Sequence, residues 1–174
     1  AIYNELIRRA KEEQIQIRQD INDLVGVYAK YQERFGEDGF AIDQFGTTFD
    51  SDKLSWPVIP NLGISAFYRD ASYKAALGVE HNAIDIRVAQ GSQVRSAADG
   101  VVLKTKGGEG LDYHYIIIGH NNGLMTLYGH MYDIYVKEGD SVRRGDLKGL
   151  SGGMPGSRGN GWLTTGSHMH LEIF

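Results

Sequence analysis

Two of the six histidines stand two residues apart near the end of the chain, in the pattern His168-Met169-His170. The run Leu171 to Phe174 favours a β-strand, and side chains two apart in a strand point to the same face of the sheet. Both imidazoles would then enter one space, where they can bind a metal ion or transfer a proton. The pair alone is modest evidence, because histidine is also common on surfaces and in cores.

A second pair of possible ligands lies in the segment His81-Asn82-Ala83-Ile84-Asp85. Apolar residues alternate from Ile84 to Val88, which predicts a strand with Asp85 on its polar face. His81 shares that face if the strand extends back to it. An imidazole and a carboxylate on one face suit zinc. Taken alone, Asp85 is equally explained as a turn cap or as the partner of a nearby arginine.

Together the two motifs supply three histidines and one carboxylate, one ligand more than a catalytic zinc needs when it keeps a position open for water. One histidine is therefore left for acid–base chemistry. His130, in Tyr128-Gly129-His130-Met131, is a further candidate, although a histidine at a strand end is more often solvated or bonded to backbone. The chain contains no cysteine, so any metal must be bound by nitrogen and oxygen atoms.

In combination, these motifs resemble those of the lysostaphin and LytM-type zinc endopeptidases, a family of peptidoglycan hydrolases. The order and approximate spacing of His81-x-x-x-Asp85, of Leu127 to Met131 and of His168-x-His170 are similar to that family. The glycine-containing segment from Val136 to Gly149 resembles a hairpin of the family as well. The resemblance covers residues 56–174.

The resemblance implies a metal site and a reaction. His81, Asp85 and His170 would bind Zn²⁺, and His130 and His168 would be the catalytic histidines. Zinc lowers the pKa of a bound water towards ~7 and polarises the carbonyl that it contacts. No His-Glu-x-x-His motif is present. One of the two catalytic histidines would therefore deprotonate the water and then stabilise the oxyanion or protonate the leaving amine.

Two residues near these positions carry weaker signals. Glu172 shares the strand face of the two terminal histidines, and it is either a hydrogen-bond partner of a ligand imidazole or a surface carboxylate. Tyr73, upstream of His81, is similar to a tyrosine that approaches the oxyanion in some relatives, but its spacing is too different to give it a role.

The remaining polar features have no predicted catalytic role. Residues 152–167 are too rich in glycine for a strand, so they form a loop that either walls the substrate cleft or is a flexible surface insertion. The resemblance gives no role to His114 and His120. We predict that both are ordinary surface or turn residues.

The elements that must position these residues fall into three parts, of which residues 1–36 are the first. In this part mostly apolar side chains recur in alternating steps of four and three. They form a seam along one side of a helix, which predicts a coiled coil. Its partner would be an upstream segment or a second copy of the chain. The alternative is a lone amphipathic helix folded on its own domain. The seam residues are Tyr3, Ile7, Ala10, Gln14, Ile17, Ile21, Leu24, Tyr28, Tyr31 and Phe35.

The second part, residues 37–55, is predicted to be a linker, because most of it has no hydrophobic period and two prolines follow closely. It carries Asp43, Asp50 and Asp52 next to the domain that holds the histidines. One regulatory hypothesis is that one of these carboxylates occupies the open position on the zinc.

The third part, residues 56–174, is predicted to be a LytM-type peptidase domain with a mainly β fold, a compact antiparallel β-sandwich. Its short β-branched and aromatic runs are punctuated by Gly, Asn and Asp. Asn121-Asn122-Gly123 predicts a hairpin turn, and the similar segments 88–95 and 136–143 predict two further hairpins. The predicted runs are 84–88, 100–105, 113–119 and 124–128.

Composition limits the partners and the compartment. A chain of 174 residues with 41% apolar residues can bury one ordinary core. The net charge of -4, without a dense cluster of Lys and Arg, argues against a nucleic-acid partner. No run approaches the ~18 apolar residues of a membrane helix. We expect a protein of the periplasm or cell surface, whose export signal and any membrane tether lie upstream.

The leading hypothesis is a zinc metalloendopeptidase that hydrolyses peptide cross-links or stem peptides of bacterial peptidoglycan. The alternative is a non-catalytic LytM-like regulator that activates a cell-wall amidase. Regulators of that kind have lost metal ligands, whereas all five motif positions are filled in this chain. The enzyme is therefore favoured.

Overall fold

The computed structural model describes residues 2–35 and 54–174, with the side chains of residues 30–35 and 122 left out. The linker predicted at residues 37–55 lies outside the described residues, apart from residues 54 and 55. The regulatory hypothesis concerns Asp43, Asp50 and Asp52, which also lie outside them. Within the described part, neither helix is apolar enough over a sufficient length to cross a membrane.

A long helix precedes the β-strands, and a short helix follows the first strand. The helices are α1 (Ile2–Phe35) and α2 (Ala71–Leu77). The strands are β1 (Ile64–Ala66), β2 (Ile84–Arg87), β3 (Gln93–Arg95), β4 (Gly100–Lys106), β5 (Tyr115–Gly119), β6 (Met125–Gly129), β7 (Met131–Ile134), β8 (Ser141–Val142), β9 (Leu147–Ser151) and β10 (His168–Ile173).

The strands form two antiparallel sheets that share one core. The larger sheet has seven strands in the order β1-β2-β10-β6-β5-β4-β8, and the smaller has three in the order β3-β9-β7. Ile86, Ile116 and Met169 of the larger sheet cluster with Val94 and Met131 of the smaller one. These apolar side chains lose their contact with water only when the two sheets meet. The predicted antiparallel β-sandwich is confirmed.

The predicted connections are right in one case and wrong in two. β5 and β6 pair as a hairpin, but residues 120–124 join them through a 3-10 turn, so the loop is longer than a two-residue turn. The segments 88–95 and 136–143 form no hairpins. Each leads from one sheet to the other, since β2 and β3 lie in different sheets, as do β7 and β8. The turns contain Gly91 and Gly139, whose φ angles of 83° and 89° favour glycine.

The second face of the larger sheet is covered by α1. The seam residues Ile17, Ile21 and Leu24 pack on a patch that includes Tyr115 and Ile117 of β5. In this structure the β domain therefore buries part of the predicted coiled-coil seam, as in the alternative of a helix folded on its own domain. The reason is that β5 presents apolar side chains on both faces. A coiled-coil partner helix stays a prediction.

Polar contacts fix the position of α1 on this face. The Tyr28 hydroxyl donates a hydrogen bond to the backbone carbonyl of His120, and the Tyr115 hydroxyl donates to the Asp20 carboxylate. Asp20 also lies 3.1 Å from the Lys104 ammonium. Because these bonds are directional, they fix the register of the helix along the sheet, which apolar contacts alone would leave loose.

Shortening Ile21 to alanine tests the docking of α1. Ile21 packs against the sheet and is 6% exposed, whereas Ile15 on the same helix is 59% exposed. We expect Ile21→Ala to lower the free energy of unfolding by about 2–5 kcal/mol, because it removes buried methylene groups and leaves a cavity. Ile15→Ala should change it by at most about 0.5 kcal/mol. Urea unfolding of both variants measures the difference, and equal values would contradict the docking.

Candidate metal centre

Three neighbouring strands bring the histidine motifs together. β10 lies between β2 and β6, where His170 pairs with Asp85 on one side and with Gly129 on the other. Met169 and Leu171 of β10 enter the sandwich core, so the residues that alternate with them point to the opposite face, the one that α1 covers. The residues on that face are His168, His170 and Glu172.

The three candidate ligands form one cluster. His81, Asp85 and His170 each offer a ligand atom within 4.8 Å of the others. His170 Nδ1 lies 2.8 Å from Asp85 Oδ1, and His81 Nε2 lies 3.1 Å from Asp85 Oδ2. The group is largely withdrawn from water. Two nitrogens and one oxygen around a common point can hold a metal ion.

The hydrogen bonding of His81 shows that the residues fit a metal. Its Nδ1 lies 2.9 Å from the Phe67 carbonyl, and a carbonyl can only accept, so Nδ1 carries the proton. Nε2 then presents its lone pair to the cluster, where it is buried and makes no hydrogen bond within the described residues. A buried polar atom without a partner is costly. A cation at this point would satisfy it, and three protein ligands would leave one position open.

His81 is placed by a loop rather than by strand alternation. β2 begins at Ile84, so the strand does not extend back to His81 as the alternation argument required. Its ring is held instead by the Phe67 carbonyl and by the ring of Tyr73, with centroids 4.4 Å apart. The site therefore depends on the loop before β2 as well as on the strand.

Tyr73 lies at the site, although no role is predicted for it from the sequence. It lies on α2, whose first turn is capped by the Asp70 carboxylate, and it lines the same cleft as Asp85. Burial and then the negative charge of Asp85 raise the pKa of Tyr73 to about 12. The hydroxyl is therefore protonated at neutral pH and able to donate a hydrogen bond. Only the fold reveals this, because the signal is spatial proximity.

Charges in the cluster favour a cation. Burial alone would raise the pKa of Asp85, but the charge and the hydrogen bond of His170, with a weaker effect of His168, hold it far below its ordinary value. Burial alone would likewise lower the pKa of His170, but Asp85 and then Glu172 raise it to about 9. The two carboxylates thus stabilise positive charge at the point where the ligand atoms converge.

His130 and His168 lie together beside this cluster, with ring centroids 4.3 Å apart. Nδ1 of His130 donates to the Asn160 carbonyl and Nδ1 of His168 to the Gly166 carbonyl, each at 2.8 Å. Each neutral ring therefore has an unprotonated Nε2. Burial lowers the pKa of both histidines, so the neutral form is favoured. Such an imidazole can accept a proton.

Backbone strain also marks His130, which has a φ of 54°. Only a few non-glycine residues adopt this left-handed conformation, and it occurs often at functional sites. The carbonyl of Asn160 fixes the ring by accepting its proton. The strand end and the loop together therefore determine where the imidazole points.

The glycine-rich loop of residues 152–167 supports the site. Asn160 and Gly166, whose carbonyls orient the two histidines, both belong to it, and Trp162 lines the same cleft. This cleft of about 670 Å³ runs between the β domain and the N-terminal half of α1. Of the two interpretations of the loop, the structure favours a cleft wall.

Glu172 is buried beside a candidate ligand, so its interpretation as a surface carboxylate is wrong. It is 5% exposed, and its Oε1 lies 3.1 Å from His170 Nε2. Burial raises the pKa of Glu172, but His170 and then Arg18 of α1 outweigh that effect and hold it below its ordinary value. The carboxylate is therefore charged at neutral pH.

The prediction of surface or turn positions for His114 and His120 is also wrong, because both side chains are buried. His120 is satisfied internally: its Nδ1 donates to the Asp99 carbonyl at 2.7 Å and its Nε2 lies 2.7 Å from the Thr126 hydroxyl. His114 lies under the loop, where a side chain at Gly159 would collide with its ring. Neither belongs to the ligand cluster.

Comparison with known proteins places this site in a family. The profile of peptidase family M23 matches residues 79–174. This range includes Asp85 and the histidines at positions 81, 130, 168 and 170. The chain is 38% identical over 93 residues to the peptidoglycan DD-endopeptidase ShyA of Vibrio cholerae, covering 53% of this chain and 20% of ShyA. It is 39% identical over 92 residues to the DD-carboxypeptidase/endopeptidase Mpg of Neisseria meningitidis, covering 53% and 19%. The chain thus spans about a fifth of the length of these relatives.

Solved structures agree with the fold. A zinc-containing peptidase from Vibrio cholerae is similar with a TM-score of 0.58 and 27% identity, over 80% of this chain and 42% of that one. LytU is similar with a TM-score of 0.53 and 26% identity, over 64% of this chain and 72% of that one. The first alignment extends over most of the described residues, so the likeness includes more than the histidine motifs.

Proposed function

Because the chain belongs to peptidase family M23, we propose that it is a zinc metalloendopeptidase that hydrolyses peptide cross-links or stem peptides of bacterial peptidoglycan. The proposal rests on one buried face of the larger sheet, where some histidines are placed to bind a metal and others to accept a proton. His81 and His170 converge with Asp85 as a ligand set, while His130 and His168 stand beside it as neutral bases. A site built only to hold a metal has no need of the second pair.

The roles of the residues follow from their protonation. Zinc held by His81, Asp85 and His170 would supply an acidic water and polarise the scissile carbonyl. Nε2 of His168 or His130 accepts the proton of the attacking water, because burial keeps both rings neutral. The protonated imidazole then donates to the leaving amine. The Tyr73 hydroxyl, protonated and in the same cleft, is available to the developing oxyanion.

The substrate class and the compartment rest on the relatives. ShyA is a peptidoglycan endopeptidase, and the cleft of about 670 Å³ has the size of a site for a small peptide. Peptidoglycan lies outside the cytoplasmic membrane, so the proposed function places this protein in the periplasm or at the cell surface. A membrane tether belongs to the same proposal and would come from upstream sequence.

Metal analysis combined with digestion of purified cell walls tests the proposal. We expect about one zinc per chain and new peptide ends, detected by mass spectrometry of the soluble fragments. A chelator should abolish the cleavage, and added zinc should restore it, because the three ligands release the ion as the chelator competes for it.

The alternative function is activation of a cell-wall amidase by a non-catalytic domain. It predicts that the zinc-loaded chain cuts no peptide in any wall preparation but increases the release of stem peptides by a purified amidase. That pair of results would replace the endopeptidase proposal.

A further inference from the structure

A chain of contacts leads from α1 to the candidate metal centre. The Arg18 guanidinium donates through Nη2 to Oε2 of Glu172. The other oxygen of that carboxylate, Oε1, lies 3.1 Å from Nε2 of His170. Nδ1 of His170 lies 2.8 Å from Asp85. One residue of the helix is thus connected through a single buried carboxylate to a proposed zinc ligand.

We propose that Arg18 is a positioning residue of the metal centre, which holds Glu172 in the orientation that fixes the proposed ligand His170. The inference rests on the proposed function, since it takes His170 to be a zinc ligand. It adds a part to that site. The helix α1 then belongs to the metal centre and is more than a tether or a coiled-coil segment.

The chemistry of the imidazole explains why Glu172 must be held. A carboxylate that accepts the Nε2 proton of His170 selects the tautomer whose Nδ1 carries the lone pair, and it makes that nitrogen a better ligand. Glu172 performs this only while its Oε1 faces the ring and its charge is retained. Burial disfavours the charge, and rotation of the side chain would remove the acceptor.

Arg18 meets both requirements. Arginine side chains carry a permanent positive charge, so the guanidinium offsets the cost of the buried carboxylate. It also binds the oxygen that His170 does not use, so each oxygen of Glu172 has its own partner. A carboxylate bound at both oxygens has little freedom to rotate.

The position of Arg18 is fixed by separate contacts of the same helix. The Glu13 carboxylate accepts hydrogen bonds from the backbone N–H groups of Tyr113 at 3.0 Å and of Trp162 at 3.2 Å. The Arg9 guanidinium lies over the ring of Trp162, 4.5 Å from its centroid. The helix is therefore held against the cleft wall on the N-terminal side of Arg18. If α1 only blocked the cleft, these contacts would have to break before a substrate could bind. If Arg18 positions Glu172, the same contacts must stay in place.

Zinc affinity of the full chain tests the proposal independently of hydrolysis. We expect Arg18→Gln to weaken zinc binding by up to about 10- to 100-fold, the range for losing the direct partner of a metal-bound histidine, because Glu172 loses the contact that holds it on His170. Arg18→Lys keeps the charge but not the planar fork, so it should restore part of the affinity. Competition with a chromophoric chelator measures the affinity, and the absorption spectrum of the Co²⁺ form reports the ligand geometry.

The matched control is Asp20→Asn, two residues away on the same helix. Asp20 contacts Tyr115 and Lys104 but none of the proposed ligands, so this variant weakens the docking of α1 while the contacts of Glu13 and Arg9 still hold the helix beside Glu172. We expect its zinc affinity and Co²⁺ spectrum to equal those of the parent chain. Glu172→Gln should weaken binding, and adding Arg18→Gln to it should have little further effect, because both changes interrupt one path.

The outcomes separate this inference from the proposed function. Parent-like zinc affinity in Arg18→Gln, or an equal loss in Asp20→Asn, overturns the role of Arg18 and leaves the metal site intact. A parent chain that binds no zinc overturns both. Loss of affinity in Arg18→Gln with partial recovery in Arg18→Lys and none lost in Asp20→Asn supports the inference.

Discussion

Replacing His170 by alanine is expected to remove both the bound zinc and the hydrolysis of cell-wall peptides. His170 supplies one of only two nitrogens in the candidate set, and its loss leaves His81 and Asp85 as ligands. Because a metal contributes several kcal/mol to the transition state, the rate should fall at least about a thousandfold. Zinc per chain, measured by mass spectrometry of the metal, and the release of soluble wall peptides give the two readouts.

Ile173→Ala is the control on the same strand. Ile173 lies near the end of β10 and is 45% exposed, so its truncation should leave zinc content and hydrolysis unchanged. His170→Ala must also be shown to be folded, by its circular dichroism. A folded variant that kept one zinc per chain would contradict the ligand assignment, and one that lost zinc but kept hydrolysis would contradict the metal mechanism.

The part of the site that lies on strands could be predicted from the sequence. A strand has a period of two, so alternation fixes the face of each residue once the strand is recognised. Alternation correctly places His168 and His170 on one face of β10 and Asp85 on the polar face of β2. The neighbouring positions of the two strands came from the family resemblance, because alternation does not say which strands pair.

The part that depends on loops could not be predicted in the same way. His81 lies before β2 and is oriented by a carbonyl from residue 67, while the carbonyls of Asn160 and Gly166 set the tautomers of the other two histidines. Loop backbone has no periodic signal, and its carbonyl directions follow from tertiary packing. The protonation of the site was therefore invisible in the sequence.

The same limit explains the error over the histidines outside the site. His120 stands next to a turn, which predicts exposure, but its two ring nitrogens find partners in the Asp99 carbonyl, just before β4, and in Thr126 of β6. A polar residue can be buried when its hydrogen bonds are satisfied. The partner at residue 99 lies 21 positions away, beyond the reach of local pattern.

The seam of α1 illustrates how one pattern fits two structures. A narrow apolar stripe packs equally on a second helix or on a sheet, and the sequence gives no energy difference between them. The structure buries Ile17, Ile21 and Leu24 on the sheet. The contact of Arg18 with Glu172 spans 154 positions, so only the docked helix reveals it.

Replacing His168 or His130 by alanine is expected to lower kcat by about 10²–10⁴-fold, the usual contribution of a positioned acid or base. Zinc content should stay at the parent value, because neither residue belongs to the group of His81, Asp85 and His170. Steady-state kinetics on a soluble wall peptide, together with metal analysis of each variant, measure both quantities. KM should change little, since the proton is transferred only as the reaction proceeds.

His114→Ala is the matched control, because His114 is also a buried histidine but lies beside Asp112 and Gly159. It should lower stability without changing kcat at a temperature where the variant is folded. If His130 and His168 act on one proton path, as proposed, the double variant should be little slower than the slower single variant, since removing either already interrupts the path. Parent-like kcat in both single variants would contradict a hydrolytic role of this pair, while loss of zinc in either would show that it supports the metal. The 4.3 Å separation of the two rings favours a shared path, because neighbouring imidazoles can act on the same reacting atoms.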